Sequence, residues 1–320
     1  MFRAVVFAYS EVGYQCLQRL LDSRVDVPLV LTHEDSESEQ PWFRSVARLA
    51  AERGIETATP SDPARPEWLE RIAALAPEYV FSFYYRRMLD ARLTACARWA
   101  ALNVHGSLLP KYRGRAPVNW AILNGETETG ATLHYMVAKP DAGPIVAQER
   151  VPIGSDDTAL AVCLAVAEAA ARLMRDELPK LAAGAPVGRE MDLSRGSYFG
   201  GRRPEDGRID WDRPAASVHN LIRAVAPPFP GAFTELGGRR LIFAGSRWTG
   251  EPARHPELAP CLYEEGEALY LDCADHVRLA LAGLVLDGEP VGAQALRRIA
   301  GPRPILLDSN TVERCLAAQT

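Results

Sequence analysis

The sequence predicts an α/β protein in which a parallel sheet covered by helices is followed by a smaller, mainly β domain. Three observations lead to this prediction. Runs with strand and helix periodicity alternate through the first 182 residues with short connections, a pattern typical of parallel sheets with both faces covered. A stretch rich in Gly, Pro and Arg follows at 182–211, and short β-like runs separated by turns come after it.

The elements of the first domain follow from apolar periodicity. Short apolar runs predict strands at 2–8, 25–33, 78–85, 100–105, 130–138 and 144–152. Apolar residues at helical spacing predict helices at 11–22, 42–54, 68–77, 116–124 and 157–182. The last of these helices is apolar on nearly every side, so we expect it to be buried.

The second domain begins after the connection rich in Gly, Pro and Arg. One helical pattern spans 215–226, and β-like runs occupy 231–236, 239–248, 268–274 and 277–288. Short strands separated by Gly, Pro and charged turns are typical of a small barrel or sandwich. We therefore divide the chain into a first domain, residues 1–200, and a second domain, residues 201–320.

Composition narrows the class of protein. The 320 residues include 36 basic and 41 acidic side chains, and this net charge of −5 argues against broad, sequence-independent binding to nucleic acid. The six cysteines are scattered, with no C-x-x-C pair and no zinc-finger spacing of histidines. This usage predicts reduced thiols in a cytoplasmic protein and no metal site. No segment approaches the roughly 18 consecutive apolar residues of a membrane span.

Common nucleotide-binding and hydrolase motifs are absent. The first strand is followed by "AYSEVGYQ" rather than G-x-G-x-x-G, which disfavours a dinucleotide-binding enzyme. No lysine follows a glycine as in the phosphate-binding G-K-[ST] loop. Neither a G-x-S-x-G nor an H-E-x-x-H segment occurs, which disfavours an α/β-hydrolase and a zinc protease.

The stretch "LNVHGSLLPKYRGRAPVNW" at 102–120 contains a candidate catalytic pair. Residues two apart in a strand project from the same face, so Asn103 and His105 should point together. They fall at the carboxyl end of a predicted parallel strand, where open α/β sheets bind ligands. An amide can stabilise an oxyanion and an imidazole can transfer a proton, so the pair suits acyl transfer. The alternative is a structural pair that forms a hydrogen-bonded polar edge of the core.

A candidate partner carboxylate is Asp141, in the turn "KPDAGP" between two predicted strands. If this carboxylate lies within a few ångströms of His105, it should favour the imidazolium and raise the pKa of the histidine. The alternative is an ordinary turn residue whose side chain bonds to the nearby backbone.

The segment "NVHGSLLPKYRGRAPVNWAILNGETETGATLHYMVAKPDAGPIVAQ" resembles the signature of the 10-formyltetrahydrofolate-dependent formyltransferases. That signature combines an N-x-H pair, an H-x-S-L-L-P-x-x-R-G loop and a downstream D-x-G. Further segments, including "SVARLAAERGI", "FSFYYRRML" and "HNLIRAVAPPFPGAF", are similar to members that N-formylate UDP-4-amino-4-deoxy-L-arabinose, so the resemblance spans nearly the whole chain. It implies a Rossmann-like formyltransferase domain followed by a small OB-like barrel.

The resemblance also implies roles for individual residues. Asn103 would stabilise the tetrahedral transition state, His105 would transfer the proton, and Asp141 would hold the histidine protonated or correctly oriented. The co-substrate implied is 10-formyltetrahydrofolate, with no metal. The residues implied to contact this folate are Arg87, Met88, Leu89, Arg115, Val137, Ala138, Lys139, Pro140 and Asp141.

The acceptor implied is the 4-amino group of UDP-4-amino-4-deoxy-L-arabinose, a reaction of lipid A modification and polymyxin resistance. Three alternatives stay open: another nucleotide-linked amino sugar, methionyl-tRNA, and a folate-binding module without catalysis. An enzyme acting on tRNA should present a basic second domain, whereas residues 201–320 contain 14 Lys and Arg against 16 Asp and Glu. We therefore expect small-molecule substrates and no nucleic-acid partner, in a chain that is a monomer or a homo-oligomer.

Overall fold

The computed structural model describes residues 2–34, 41–301 and 303–307. The chain forms two compact units, each assembled from several segments. The first unit comprises Met1–Val118, Glu128–Pro152 and Val162–Gly201. The second unit comprises Asn119–Thr127, Ile153–Ala161 and Arg202–Thr320.

A seven-stranded sheet forms the centre of the first unit. The strands of this unit are β1 (Arg3–Ala8), β2 (Asp26–Leu31), β3 (Glu56–Ala58), β4 (Tyr79–Phe83), β5 (Ala100–His105), β6 (Arg113–Gly114), β7 (Glu128–Tyr135), β8 (Ile145–Pro152) and β9 (Tyr198–Phe199). Seven of them form the sheet in the order β3-β2-β1-β4-β5-β7-β8, while β6 and β9 pair only with each other.

The direction of the strands changes across this sheet. Strands β1 to β5 pair in parallel, as the sequence predicts, but β7 and β8 are antiparallel. The predicted parallel sheet therefore ends in an antiparallel pair of strands at this edge. Only a nine-residue turn, 136–144, joins β7 to β8, and a connection that short joins antiparallel strands, because parallel neighbours need a longer crossover.

Six α-helices precede residue 182 among the residues that the structure describes. They are α1 (Ser10–Asp22), α2 (Val46–Glu52), α3 (Pro66–Ala74), α4 (Ala91–Thr94), α5 (Pro117–Leu123) and α6 (Ala159–Leu181). Helix α2 starts later than the predicted 42–54 because the Ser45 side chain accepts a hydrogen bond from the Arg48 N–H and caps the helix there. Helix α3 starts at Pro66, where the missing N–H of proline costs no helical bond. The short elements β3 and α4 are not predicted by the apolar pattern.

An apolar cluster lies on one face of the parallel strands. It consists of Val5, Phe7, Leu29, Leu31, Ile72, Val80, Tyr85, Leu93 and Ala101. Leu89 and Met136, from the loops after β4 and β7, pack against this cluster. Two loops that are distant in the sequence are thus anchored to the same patch of core.

The second unit contains a curled antiparallel sheet. Its elements after residue 201 are α7 (Ala215–Ala224), β10 (Ala232–Leu236), β11 (Arg239–Pro252), β12 (Cys261–Glu265), β13 (Ala268–Asp272), β14 (Val277–Leu286), β15 (Glu289–Val291), α8 (Ala293–Ala300) and β16 (Ile305–Leu306). The strand order is β10-β11-β14-β13-β12-β16, with β15 on β14. This unit confirms the predicted small β domain, although β12, β15, β16 and α8 are not predicted.

Several properties of the described ranges bear on function. No helix there is both long and apolar enough to cross a membrane. No three His, Cys, Asp or Glu side chains of those ranges are grouped as a metal ion would require. Free thiols are found at Cys16, Cys96, Cys163, Cys261 and Cys273, and Cys315 lies outside the described residues.

Candidate active site

Three polar side chains share one face of the sheet where β5 and β7 meet. Asn103 and His105 are two apart on β5, and His134 of β7 is the direct antiparallel partner of Asn103. Directly opposed residues and residues two apart project from the same face. Asn103 and His105 therefore share this face with a second imidazole, that of His134, which the sequence pattern did not predict.

Asp141 reaches this face from the turn between β7 and β8. Its backbone has φ of +48°, a left-handed conformation that Asp tolerates better than most residues. Gly143, two residues later, closes the turn, because a Cβ atom there would lie 2.1 Å from the Tyr135 carbonyl oxygen. The D-x-G sequence thus places a carboxylate on a tight turn that folds back along the sheet.

The Asp141 carboxylate contacts both histidines. Its Oδ1 lies 3.6 Å from His105 Nδ1 and 3.6 Å from His134 Nε2, and its Oδ2 accepts a 2.9 Å hydrogen bond from the Gly114 N–H. The Asp141 side chain is 16% exposed and that of His105 is 8% exposed, so solvent screens this contact weakly. The structure therefore brings together Asn103, His105 and Asp141, the three residues that the sequence singles out.

The loop after β5 holds the other side of His105. His105 Nε2 lies 2.8 Å from the Tyr112 carbonyl oxygen, so this nitrogen carries a proton and donates. The Ser107 hydroxyl donates to the Lys111 carbonyl at 2.6 Å and closes the loop. The Thr132 hydroxyl, on β7 opposite His105, donates to the Ser107 carbonyl at 2.6 Å. These bonds explain why the segment leaves the strand at Gly106 and returns over the imidazole.

Charge at the site is set by burial and by the close contacts. Burial raises the pKa of Asp141, but the His105 charge, the nearby His134 imidazole and the hydrogen bond from the Gly114 N–H outweigh it and hold the pKa well below its usual range. Burial lowers the pKa of His105, and the Asp141 charge and the Tyr112 carbonyl oppose this only in part. Asp141 raises the His105 pKa, as expected, but desolvation of the imidazolium is the larger effect and the net shift is downward.

Hydrogen bonds define the arrangement of the second imidazole. His134 Nδ1 lies 2.8 Å from the Tyr135 carbonyl oxygen and donates to it, so in the neutral ring Nε2 accepts. The Asn103 amide lies 3.0 Å from that Nε2 and supplies the donor. His134 thereby fixes the orientation of the Asn103 amide. The sequence offers one signal for it: the lone histidine inside the apolar run 130–138.

The residues predicted to contact folate occupy two loops and one strand end in the first unit. Arg87 and Met88 are exposed, Met88 by 63%, and one Arg87 nitrogen donates to the Pro60 carbonyl. Val137, Ala138 and Lys139 are also exposed, and Leu89 and Pro140 are half-buried. Arg115, next to β6, is exposed, and its N–H donates to the Phe199 carbonyl. The exposed apolar side chains of Met88 and Val137 are available to cover a planar ligand.

Two cavities of the structure do not coincide with this chemistry. Two cavities of about 230 and 370 Å³ both lie in the second unit. The larger is lined in part by Trp120 and by Arg202, whose guanidinium carbon stands 4.9 Å from the ring centroid of the indole. None of the residues predicted for catalysis or folate binding lines either cavity, so convergent polar groups, not cavity size, identify the candidate site.

Two family models together match most of the chain. Residues 5–178 match the model of the formyl transferase family, and residues 202–292 match that of the formyl transferase C-terminal domain. An N-formyltransferase from Helicobacter canadensis, solved with folinic acid and dTDP-3-aminofucose, superposes with a TM-score of 0.71 at 20% identity, over 88% of this chain and 99% of that one. The sugar 3N-formyl transferase WlaRD gives 0.69 at 18% identity, over 88% and 97%. A sugar N-formyltransferase from Shewanella sp FDAARGOS_354 gives 0.58 at 20% identity, over 73% and 93%.

Proposed function

Because the chain belongs to the formyl transferase family, we propose that it transfers a formyl group from 10-formyltetrahydrofolate to the amine of a nucleotide-linked sugar. The acceptor that we propose is UDP-4-amino-4-deoxy-L-arabinose, formylated on its 4-amino group, as in lipid A modification and polymyxin resistance. The observation that carries the proposal is the meeting of Asn103, His105 and Asp141 on one face of the sheet.

Two further observations support an amino-sugar acceptor. The similar structures include sugar N-formyltransferases, one of them holding folinic acid together with an amino-sugar nucleotide. Residues 201–320 carry 14 basic against 16 acidic side chains, which does not suit contact with tRNA phosphates. Methionyl-tRNA is therefore the weaker alternative.

In the proposed reaction, His105 carries the proton. Its lowered pKa leaves the imidazole neutral at pH 7, so it can accept the proton that the amine releases on bonding to the formyl carbon. The same proton passes to N10 of the folate as the bond between the formyl carbon and N10 breaks. The products are the N-formyl sugar nucleotide and tetrahydrofolate. Acid–base catalysis of this kind contributes about 10²–10⁴-fold in rate.

Asp141 and Asn103 act on the charges that form during this reaction. Asp141 lies 3.6 Å from His105 and stabilises the transient imidazolium. The Asn103 amide has two N–H bonds, and with one directed at His134 the other can donate to the oxyanion of the tetrahedral intermediate. One donor placed in this way is worth about 2.7–4 kcal/mol of transition-state stabilisation.

We propose that the folate donor lies along the loops 87–89 and 137–141 and against Arg115. Met88 and Val137 are exposed there, while their neighbours Leu89 and Met136 are anchored on one apolar cluster. Exposed apolar side chains on anchored loops suit a planar ring system. The exposed charges of Arg87, Arg115 and Lys139 suit the carboxylates of the folate tail.

One experiment tests the proposed function. The protein is incubated with 10-formyltetrahydrofolate and, separately, with UDP-4-amino-4-deoxy-L-arabinose, a dTDP-linked 3-amino sugar and charged initiator tRNA, and N-formyl product is measured by mass spectrometry. We expect product with the UDP sugar at the highest kcat/KM. Faster formylation of the dTDP sugar would transfer the proposal to another sugar nucleotide. Formylation of the tRNA alone, or folate binding without product from any amine, would refute it.

A further inference from the structure

Arg113, on β6, is a buried cation without a partner in the described part of the chain. The residue is 7% exposed, and its Nε and Nη1 atoms are buried without a hydrogen-bond partner. No carboxylate of the described residues lies within ion-pair distance of its guanidinium, and its nearest aromatic contact is the Tyr198 ring, 6.0 Å from the guanidinium carbon to the ring centroid. Burying an unpaired charge is strongly unfavourable, so this arrangement suggests that an anion completes it.

The backbone around Arg113 ties it to the proposed catalytic residues. The carbonyl of the preceding Tyr112 accepts the His105 Nε2 hydrogen bond, and the N–H of the following Gly114 donates to Asp141. Arg113 therefore stands between two backbone groups that hold the imidazole and the carboxylate. An anion bound by its guanidinium would lie beside the reacting groups and remain separate from them.

Strand pairing holds the residues around Arg113 in place. Strand β6 pairs with β9, so Arg113 is registered against Tyr198 and Gly114 against Phe199. The Tyr198 ring is 56% exposed, although it borders a buried guanidinium. Gly114 must lack a side chain, because a Cβ atom there would lie 2.2 Å from the Phe199 carbonyl oxygen. An exposed aromatic ring beside a buried guanidinium is a suitable surface for a phosphorylated ligand.

We propose that Arg113 binds the diphosphate of the nucleotide-linked acceptor, with Tyr198 covering it from the solvent side. This inference rests on the proposed function. Guanidinium groups bind phosphate oxygens through charge-assisted N–H bonds, and the Nε and Nη1 atoms of Arg113 have no hydrogen-bond partner. The Asp141 carboxylate cannot substitute for the ligand, because its oxygens contact the two imidazoles and the Gly114 N–H.

The folate tail is the other source of anionic groups in the proposed reaction. The basic side chains proposed for the folate tail, Arg87, Arg115 and Lys139, are all exposed, whereas Arg113 is buried. Exposed cations suit flexible carboxylates that remain in water, whereas a buried guanidinium suits a group that is itself desolvated on binding. We therefore assign Arg113 to the acceptor.

Calorimetric titration of Arg113→Gln tests whether Arg113 binds the diphosphate of the acceptor or the carboxylates of the folate tail. UDP, uridine and folinic acid are each titrated into the wild-type protein and into the variant. We expect the variant to bind UDP about 10- to 100-fold more weakly, because charged hydrogen bonds are lost. Affinity for uridine, which lacks phosphate, and for folinic acid should not change. The matched control is Arg195→Gln, an exposed arginine three residues before Tyr198, which should bind all three ligands as the wild type does.

The outcomes are distinct. Equal UDP affinity in wild type and Arg113→Gln overturns the inference, and so does a loss confined to folinic acid, which would assign Arg113 to the donor. If no sugar nucleotide is formylated but UDP affinity still depends on Arg113, the proposed function fails while the diphosphate site stands. If the sugar nucleotide is formylated with the same KM in wild type and Arg113→Gln, the proposed function stands and the diphosphate site fails.

A conservative variant keeps the inference testable if Arg113→Gln does not fold. Arg113→Lys retains the positive charge but loses the planar fork. We expect Arg113→Lys to fold and to bind UDP several-fold more weakly than the wild type, with uridine unaffected. Unchanged UDP affinity in this variant would show that the guanidinium N–H groups do not bind the diphosphate and would overturn the inference.

Discussion

The substitution Asp141→Asn tests the charge at the centre of the proposed site. Asn is nearly isosteric, tolerates the φ of +48° at this turn, and can still accept the Gly114 N–H hydrogen bond. The change therefore removes the negative charge and keeps the shape of the turn. Asp141→Ala would add backbone strain of roughly 1–2 kcal/mol and obscure the electrostatic effect.

The size of the effect follows from the distance between the two groups. Unit charges separated by 3.6 Å, as for Asp141 Oδ1 and His105 Nδ1, interact by about 4–5 kcal/mol at an effective dielectric constant of about 20. Each 1.36 kcal/mol corresponds to a factor of about ten, so the whole interaction is worth about three decades in rate. The Asn dipole replaces part of it, and we expect kcat to fall about 10²–10³-fold.

Two measurements check this expectation. Formation of N-formyl sugar nucleotide gives kcat, and the NMR titration of His105 should show its pKa falling further, because the carboxylate no longer favours the imidazolium. The matched control is Asp176→Asn, which removes a carboxylate from an exposed ion pair with Arg175 and should leave kcat unchanged. A kcat within threefold of wild type, together with an unshifted His105, would refute the proposed role of Asp141.

Three further predictions concern other parts of the first unit. Asn103→Ala should lower kcat about 10²–10³-fold at unchanged folate affinity, and near-normal turnover would exclude an oxyanion role. Gly106→Ala should destabilise the protein by about 1–3 kcal/mol in denaturant melts, because its Cβ would lie 1.6 Å from the Tyr84 hydroxyl. Tyr84→Phe should relieve part of this loss, whereas additive effects of the two changes would contradict the clash. Burial, and then two neighbouring arginines, lower the pKa of His33 to about 4. Between pH 6.5 and 4 the unfolded chain therefore binds a proton that the folded chain does not, so the free energy of unfolding should decrease as the pH falls through this range. His33→Asn should flatten this dependence, and an identical pH profile in the variant would argue against it.

Most of the fold could be predicted from the sequence because its periodicity is clear. The strands β1, β4 and β5 and the helices α1 and α7 match predicted segments closely, since each is a long apolar pattern bounded by polar or turn residues. Short elements such as β3 and β16 are not predicted, because two or three residues contain no measurable period. Their pairing is decided by neighbouring strands that the local sequence does not describe.

The candidate site was predictable only in part, for a physical reason. Asn103 and His105 are two apart on one strand, so local geometry alone places them together. The positions of His134 and Arg113 depend on strand pairing, β7 against β5 and β6 against β9, and neither register can be read from the local sequence. The lowered His105 pKa could not be predicted either, because burial is a property of the folded surroundings.

Residues 112–114 place one backbone carbonyl on the imidazole and one backbone N–H on the carboxylate. A small displacement of this tripeptide would lengthen or shorten both bonds at once. It would alter the proton affinity of His105 directly, through the Tyr112 carbonyl, and indirectly, through the position of Asp141. Any ligand held by the side chain between those groups is then thermodynamically linked to protonation, and the linkage is reciprocal. The affinity of UDP, which lacks the amine, should accordingly vary with pH even though its diphosphate does not contact the histidine.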